Sequence, residues 1–250
     1  REELRRRGDL ITANLYRAQK GARTLLCTDY YTEGCPEVEI RLDPLKTPQQ
    51  NAAAAYREYK KAVAAEGHLT ALIASGEKQL DYLESVLDEL SRAESEKDVA
   101  DIRRELEGAG VLKAKRGAKQ AKPKPRGPFR YVSSGGYEIL AGRSNGQNDE
   151  LTTRTARRGD IWLHTQKVHG SHVIIRADGA PVDERTLAEA AAIAVWHSQA
   201  REGGKVPVDY TEVRNVKKPS GSLPGKVIYT NYKTLMAEAD EKLAASLAVK

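Results

Sequence analysis

Residues 160–164 read Asp-Ile-Trp-Leu-His, and residues 169–173 read His-Gly-Ser-His-Val. The first stretch has the length and the apolar content of a strand, and the second leads into another. Because side chains alternate along a strand, Asp160, Trp162 and His164 fall on one face and Ile161 and Leu163 on the other. The pattern therefore predicts a sheet with a polar and aromatic face.

The sequence around this stretch predicts an α+β domain over residues 128–238. Strands are expected near 137–141, 161–165, 172–176, 208–213 and 226–232, with helices at 148–157 and 183–200. The second helix carries a stripe of small residues that would let it lie close to the sheet. A short helical tail is expected at 239–250.

A basic segment precedes this domain. The chain has 250 residues and a net charge of +6, and 40% of its residues are hydrophobic and 30% charged. Between Val111 and Tyr137 there is no acidic residue, and the basic residues are Lys113, Lys115, Arg116, Lys119, Lys122, Lys124, Arg126 and Arg130. These eight positive charges exceed the net charge of +6, so the rest of the chain has a net charge of −2. Its lysine, proline and glycine content predicts a flexible linker at 111–127.

Residues 1–110 are predicted to form a middle domain with a coiled coil and a small β-hairpin. A helical face at Leu4, Gly8, Ile11 and Leu15 opens the chain, and two short strands surround the turn at Gly34 and Pro36. Thr47 and Pro48 then have the character of a helix start. A seam with alternating 3 and 4 spacing follows at Ala52, Ala55, Tyr59, Ala62, Glu66, Leu69, Ile73, Gly76, Leu80, Leu83, Leu87 and Leu90.

A seam of about six heptads needs a partner helix. Three partners are open: an upstream helix outside this chain, a fold-back near Gly67, or a second copy of the molecule. The upstream helix is favoured, and it makes a homodimer of this piece through the coiled coil possible. A short helix over 98–107 is expected after the seam.

The composition excludes several classes of protein. No apolar run approaches the roughly 20 residues that span a bilayer, and the first residues have no apolar secretion core. A cytoplasmic location and no membrane partner are therefore expected. Cys27 and Cys35 are the two cysteines, which is too few for a disulfide scaffold.

Several residue groups favour RNA binding. Flat side chains beside amide-rich loops suit unstacked bases, a loop before a helix offers donors to phosphate, and a lysine loop stiffened by Pro219 and Pro224 contacts phosphates readily. Each group is equally compatible with a cap, a core or a plain surface loop. The candidate RNA contacts are Arg143, Asn145, Gln147, Asn148, Asp160, Trp162, His164, Lys167, Ser171, His172, Lys217, Lys218 and Lys226.

Catalytic interpretations are less favoured. His164, His169 and His172 lie within nine residues and leave a metal-dependent hydrolase as an alternative, but no cysteine or second carboxylate joins them at a usual ligand spacing. Ser171, His172 and Asp160 lack a nucleophile elbow. We expect no catalytic residue, no metal and no cofactor, so the chain is not expected to be an enzyme.

Several motifs together resemble the NFACT family, whose bacterial members were long labelled fibronectin-binding proteins. In the first half they are Gly8–Asn14, Leu42–Pro44, Thr47–Ala52 and Asp81–Glu84. In the second half they are Ser133–Gly136, Gly142–Asn148, Asp160–His164, Gly170–Val173 and Val208–Thr211, which look like the family's RNA-binding domain, NFACT-R. His169 stands where the family usually has proline, so the rigidity of that loop is in question.

The resemblance implies a factor for ribosome quality control. Its expected partners are the large ribosomal subunit obstructed by peptidyl-tRNA, tRNA and rRNA, and the full-length protein would recruit tRNA for C-terminal alanine tailing. The family grips tRNA largely through an N-terminal domain that lies outside this chain. The older family label leaves a fibronectin-binding surface protein as a further alternative.

Overall fold

The computed structural model describes residues 1–113 and 126–249 and confirms the α+β class. Most of the basic linker predicted at 111–127 lies outside the described residues. The chain divides into two compact units, Arg1–Lys78 and Gln79–Lys250. In the part of the chain that is described, no helix is both long enough and apolar enough to cross a membrane.

The first unit combines a helix, a hairpin and the start of a long helix. α1 (Glu2–Ala13) is followed by β1 (Thr24–Thr28) and β2 (Glu37–Arg41), which pair antiparallel with Leu25 opposite Ile40. These elements bury Leu10, Ile11, Leu25, Cys27, Ile40, Leu42 and Ala52. The predicted opening helix and hairpin are both confirmed.

α2 runs without interruption from Pro48 to Ser91. Thr47 Oγ1 accepts from the Gln50 backbone N–H at 3.2 Å and the Gln50 side chain accepts from the Thr47 N–H at 2.9 Å, a reciprocal cap that confirms the predicted helix start. The fold-back near Gly67 is wrong, because a glycine inside a helix costs only about 1 kcal/mol and the backbone stays helical there.

The predicted seam is buried only at its beginning. Ala52 and Ala55 are buried, whereas every residue from 63 to 81 is exposed among the residues that the structure describes. In the second unit the buried positions on α2 are Tyr82, Val86 and Glu89 rather than Leu80, Leu83, Leu87 and Leu90. Periodicity alone does not tell which of two apolar faces is covered, and here Ile102 of α3 (Glu96–Gly108) packs with Tyr82 and Val86.

A six-stranded antiparallel sheet forms the centre of the second unit, in the order β10-β7-β5-β6-β4-β3. Its strands are β3 (Phe129–Val132), β4 (Glu138–Ala141), β5 (Ile161–Thr165), β6 (Val173–Ile175), β7 (Val206–Glu212) and β10 (Lys233–Ala237). Strands β3 and β10 were not predicted. The predicted strand at 226–232 is a two-residue strand, β9 (Ile228–Tyr229), which pairs with β8 (Val216–Lys217).

Both faces of this sheet are covered. On one face Leu163, Val173 and Val208 pack against α5 (Glu184–Trp196) and α6 (Glu241–Leu247). On the other, Leu140, Trp162 and Ile174 pack against Leu151 and Tyr229, which belong to a π-helical turn (Leu151–Thr155) and to β9. The turn follows α4 (Asn145–Glu150), so the predicted helix at 148–157 begins earlier and ends in a wider turn.

Candidate nucleic-acid interface

Trp162 lies on the face of the six-stranded sheet that packs against Leu151 and Tyr229, and it is fully buried. Its ring stacks with His164 at a centroid distance of 5.8 Å, meets the edge of His172 at 5.2 Å, and lies 4.7 Å from Tyr229. The indole N–H has no hydrogen-bond partner among the described residues. In this position Trp162 organises the packing under the β8–β9 hairpin, and stacking an RNA base on it would require the hairpin to move.

The two histidines beside Trp162 are held in a hydrogen-bonded layer. His172 Nδ1 lies 2.8 Å from Thr152 Oγ1, and the His172 backbone N–H donates to Asn148 Oδ1 at 2.9 Å. Burial lowers the pKa of His172 to about 3 and that of His164 to about 4. Both rings are therefore neutral at pH 7 and carry no positive charge toward a phosphate.

Ser171 and Asn148 close this layer. The Ser171 hydroxyl donates to the Gly142 carbonyl, and the Asn148 amide donates to the Gly170 carbonyl at 3.4 Å. Both side chains are buried. These two side chains therefore tie the amide-rich loop to the connection between β5 and β6.

The loop from Arg143 to Gln147 is turned toward its own unit. The Arg143 guanidinium lies 3.4 Å from the centroid of the Phe129 ring, and the Asn145 amide donates to Ser85 Oγ at 2.7 Å. Gln147 accepts from the Arg143 N–H at 2.8 Å. One of the backbone donors predicted to receive a phosphate already has a partner, because Glu105 Oε2 accepts from the Gly146 N–H at 2.7 Å.

The lysine loop, residues 216–226, presents cations at the surface above Trp162. Lys217 is exposed on β8, and Lys226 is exposed and lies 3.5 Å from Asp81. Lys218 is partly buried and pairs with Asp149 at 2.7 Å. Asp81, a residue of α2, also lies 3.7 Å from His169 Nε2, so it contacts both the lysine loop and the connection between β5 and β6.

Lys167 is exposed in that connection, with φ +61. The structure therefore brings Lys167, Lys217 and Lys226 to the surface as exposed cations. The other candidate contacts are buried or partly buried: Arg143, Asn145, Gln147, Asn148, Asp160, Trp162, His164, Ser171, His172 and Lys218.

Asp160 is completely buried and has a positioning role. Its carboxylate accepts from the Arg157 N–H and the Asp178 N–H, each at 2.8 Å, and pairs with Arg176 Nε at 3.2 Å. It therefore fastens two neighbouring loops to each other. Asp160 was singled out from the sequence, whereas its neighbours Arg154, Arg157 and Arg158 were missed, although three arginines within five residues were a visible signal.

The three histidines do not converge on one point. The rings of His164 and His172 meet edge to face at 5.5 Å, whereas His169 faces Asp81. Within residues 1–113 and 126–249, no group of three or more His, Cys, Asp or Glu side chains is arranged to hold a metal ion.

Comparison with known proteins covers both units. Residues 1–125 match the family model described as NFACT N-terminal and middle domains, and residues 128–231 match the one described as NFACT protein RNA binding domain. The chain is 42% identical over 235 residues to the Rqc2 homolog RqcH of Bacillus subtilis, covering 93% of this chain and 41% of that protein. It is 37% identical over 249 residues to RqcH of Streptococcus suis, covering 99% and 44%.

A solved structure is also similar. The C-terminal part of the fibronectin/fibrinogen-binding protein from Streptococcus suis matches with a TM-score of 0.73 and 37% sequence identity, covering 80% of each chain. The chain spans less than half the length of the two RqcH relatives. With half of its residues under one NFACT model and most of the remainder under a second, this chain belongs to the NFACT family.

Proposed function

We propose that this chain is the RNA-binding part of a cytoplasmic ribosome quality-control factor. It binds large ribosomal subunits obstructed by peptidyl-tRNA, and in the full-length protein it helps to recruit tRNA for C-terminal alanine tailing. It acts by binding RNA and not by catalysis. The match to the NFACT RNA-binding domain and the kinship with RqcH support this role.

The observation that carries the proposal is the lysine loop. It puts Lys217 and Lys226 in solvent, and its backbone is fixed from below: the Gly225 N–H donates to Asp149 at 3.1 Å, and Val216 and Tyr229 pack on the layer around Trp162. A surface lysine on a rigid backbone can bind a phosphate with little loss of conformational entropy. The buried histidines and amides serve this surface by shaping its support.

The test is tRNA binding by the double variant Lys217→Ala/Lys226→Ala. Each lost phosphate contact should reduce the slope of log affinity against log salt by about 1, so the double variant should show a slope smaller by about 2. A matched control is Lys205→Ala/Lys242→Ala, which removes the same charge. Lys205 comes directly before Val206, the first residue of β7, which pairs with Ala237. Lys242 lies in α6, on the face of the sheet that packs against α5.

The control should bind tRNA as the unmodified chain does. Equal losses in both double variants would mean that only total charge matters, and no binding by the unmodified chain at low salt would end the proposal. Thermal unfolding of all variants confirms that the comparison is between folded proteins.

A further inference from the structure

Five arginines lie on the three segments that are hydrogen-bonded around the buried Asp160. Arg154 lies in the π-helical turn, Arg157 and Arg158 follow it, Arg176 follows β6, and Arg214 follows β7. We propose that this group, the arginine collar, is a binding site for backbone phosphates of RNA. The inference rests on the proposed RNA-binding function and assigns to it a second contact surface, separate from the lysine loop.

Hydrogen bonds from three segments converge at the collar. Asp160 Oδ2 accepts from the Arg157 N–H and pairs with Arg176, whose Nη1 also donates to the Thr155 carbonyl at 3.1 Å. The Arg214 N–H donates to the Arg158 carbonyl at 3.2 Å. Residues 155–160 are thus bonded to Arg176 and to Arg214, although these come from distant parts of the sequence.

The loop that contains Gly159 and the loop that contains Gly179 meet backbone to backbone, with no side chain between them. A Cβ on Gly159 would lie 2.5 Å from the Gly179 backbone nitrogen, and the Gly179 N–H donates to the Gly159 carbonyl at 3.0 Å. The neighbouring turn is tight, with positive φ at Asp178 and Gly179. This contact and the Asp160 carboxylate fix the collar before any ligand arrives, as a binding site requires.

The collar retains excess positive charge. Its five arginines face three carboxylates, those of Asp160, Asp178 and Glu212, which leaves a formal charge of +2. The pairs Arg157–Asp178 and Arg214–Glu212 are solvent-exposed, and such pairs contribute little to stability and exchange readily. Arg154 and Arg158 are exposed and make no ion pair with any residue in the described part of the chain.

The use of arginine at all five positions of the collar indicates a phosphate ligand. A guanidinium offers a planar fork of donors that binds two phosphate oxygens at once, whereas an ammonium acts as a point charge. All five cations of the collar are arginines, while the exposed cations of the lysine loop are lysines. The collar is therefore suited to hold successive phosphates of a folded RNA in a defined orientation.

The experiment compares three double variants in binding to a labelled tRNA transcript across a salt series. Arg154→Ala/Arg158→Ala should bind roughly tenfold or more weakly and lose about 2 from the salt slope. Arg154→Lys/Arg158→Lys keeps the charge and should recover the slope but only part of the affinity. Lys205→Ala/Lys242→Ala should match the unmodified chain.

The outcomes separate the two proposals. No tRNA binding by the unmodified chain overturns the proposed function and the collar with it. Normal binding by the unmodified chain and by Arg154→Ala/Arg158→Ala overturns the collar alone. A polyglutamate peptide that binds in an arginine-dependent way while tRNA binding does not depend on these arginines would also overturn it, in favour of an acidic protein partner. Thermal midpoints near that of the unmodified chain are required of each variant.

Discussion

Among single residues, Trp162 gives the clearest test of the packing in the second unit. Its ring is fully buried between β5 and the β8–β9 hairpin, so Trp162→Ala should destabilise the unit by about 3–5 kcal/mol. Trp162→Phe, which keeps a ring in the same layer, should cost clearly less. Urea unfolding followed by circular dichroism measures both. If Trp162→Ala kept full stability and lost only RNA binding, the ring would contact RNA directly and its structural role would be wrong.

The buried histidines give a second residue-scale prediction. Burial lowers the pKa to about 4 at His164 and to about 3 at His172 and His197. The unfolded chain takes up protons near pH 6.5, whereas the folded chain does so only near pH 3–4, so folding stability should fall as the pH drops below about 6.5. By NMR, these imidazoles should keep neutral-form shifts down to pH 5. A midpoint near 6.5 for any of them would contradict the burial described here.

The site was predictable from the sequence only in part. Alternation along β5 correctly separates Asp160, Trp162 and His164 from Ile161 and Leu163, but it does not reveal what covers each face. The second face is covered by the β8–β9 hairpin and the π-helical turn, both of which come from elsewhere in the chain. The collar was missed for the same reason: Arg176 and Arg214 are brought to residues 155–160 only by the packing of three segments.

At the element scale, the lysine loop depends on one glycine. Gly225 has φ +78, and a Cβ there would overlap with the side-chain oxygen of Asn145. Gly225→Ala should therefore displace the loop and lower tRNA affinity toward that of Lys217→Ala/Lys226→Ala, without unfolding the sheet. Gly221, with φ +72 and open space around it, is the matched control, since Gly221→Ala adds backbone strain alone. Equal binding by the two variants would show that the position of the loop is unimportant.

The helices α1 and α2 offer a contrasting pair of glycines. Gly76 lies inside α2, and a Cβ added to it would meet nothing within 4 Å, whereas a Cβ on Gly8 would meet the Tyr56 ring at 3.0 Å. Gly76→Ala should stabilise the helix by about 0.5–1 kcal/mol, and Gly8→Ala should not stabilise α1. Hydrogen exchange along α2 and α1 measures the difference. Slower amide exchange in Gly8→Ala but not in Gly76→Ala would contradict the crowding at Gly8 and the open space at Gly76 described above.

The elements most visible in the sequence are those with strong local signals. The cap at Thr47, the hairpin around Gly34 and the strand Ile161–Thr165 follow from nearby residues. Strand β10 was missed because its burial pattern is almost entirely exposed until Ala237, so no alternation marks it. Its place in the sheet comes from pairing with β7, which is a long-range contact.

The exposed stretch of α2 predicts self-association of the chain. Leu69, Ile73 and Leu80 are each more than half exposed, and a row of this kind favours a partner helix. We propose that the chain forms a homodimer through this row at high concentration. Sedimentation equilibrium should give a dimer for the unmodified chain and a monomer for Leu69→Glu/Ile73→Glu. A monomer for both would remove the dimer.

We propose that the chain binds obstructed large ribosomal subunits through the lysine loop and the arginine collar of its second unit. The most direct measurement is cosedimentation with large subunits that carry peptidyl-tRNA and, in parallel, with empty ones. The chain should cosediment more strongly with the obstructed subunits, and Lys217→Ala/Lys226→Ala should lower the amount bound to them while Lys205→Ala/Lys242→Ala leaves it unchanged. Absence from both pellets, or equal amounts in both, would contradict the claim.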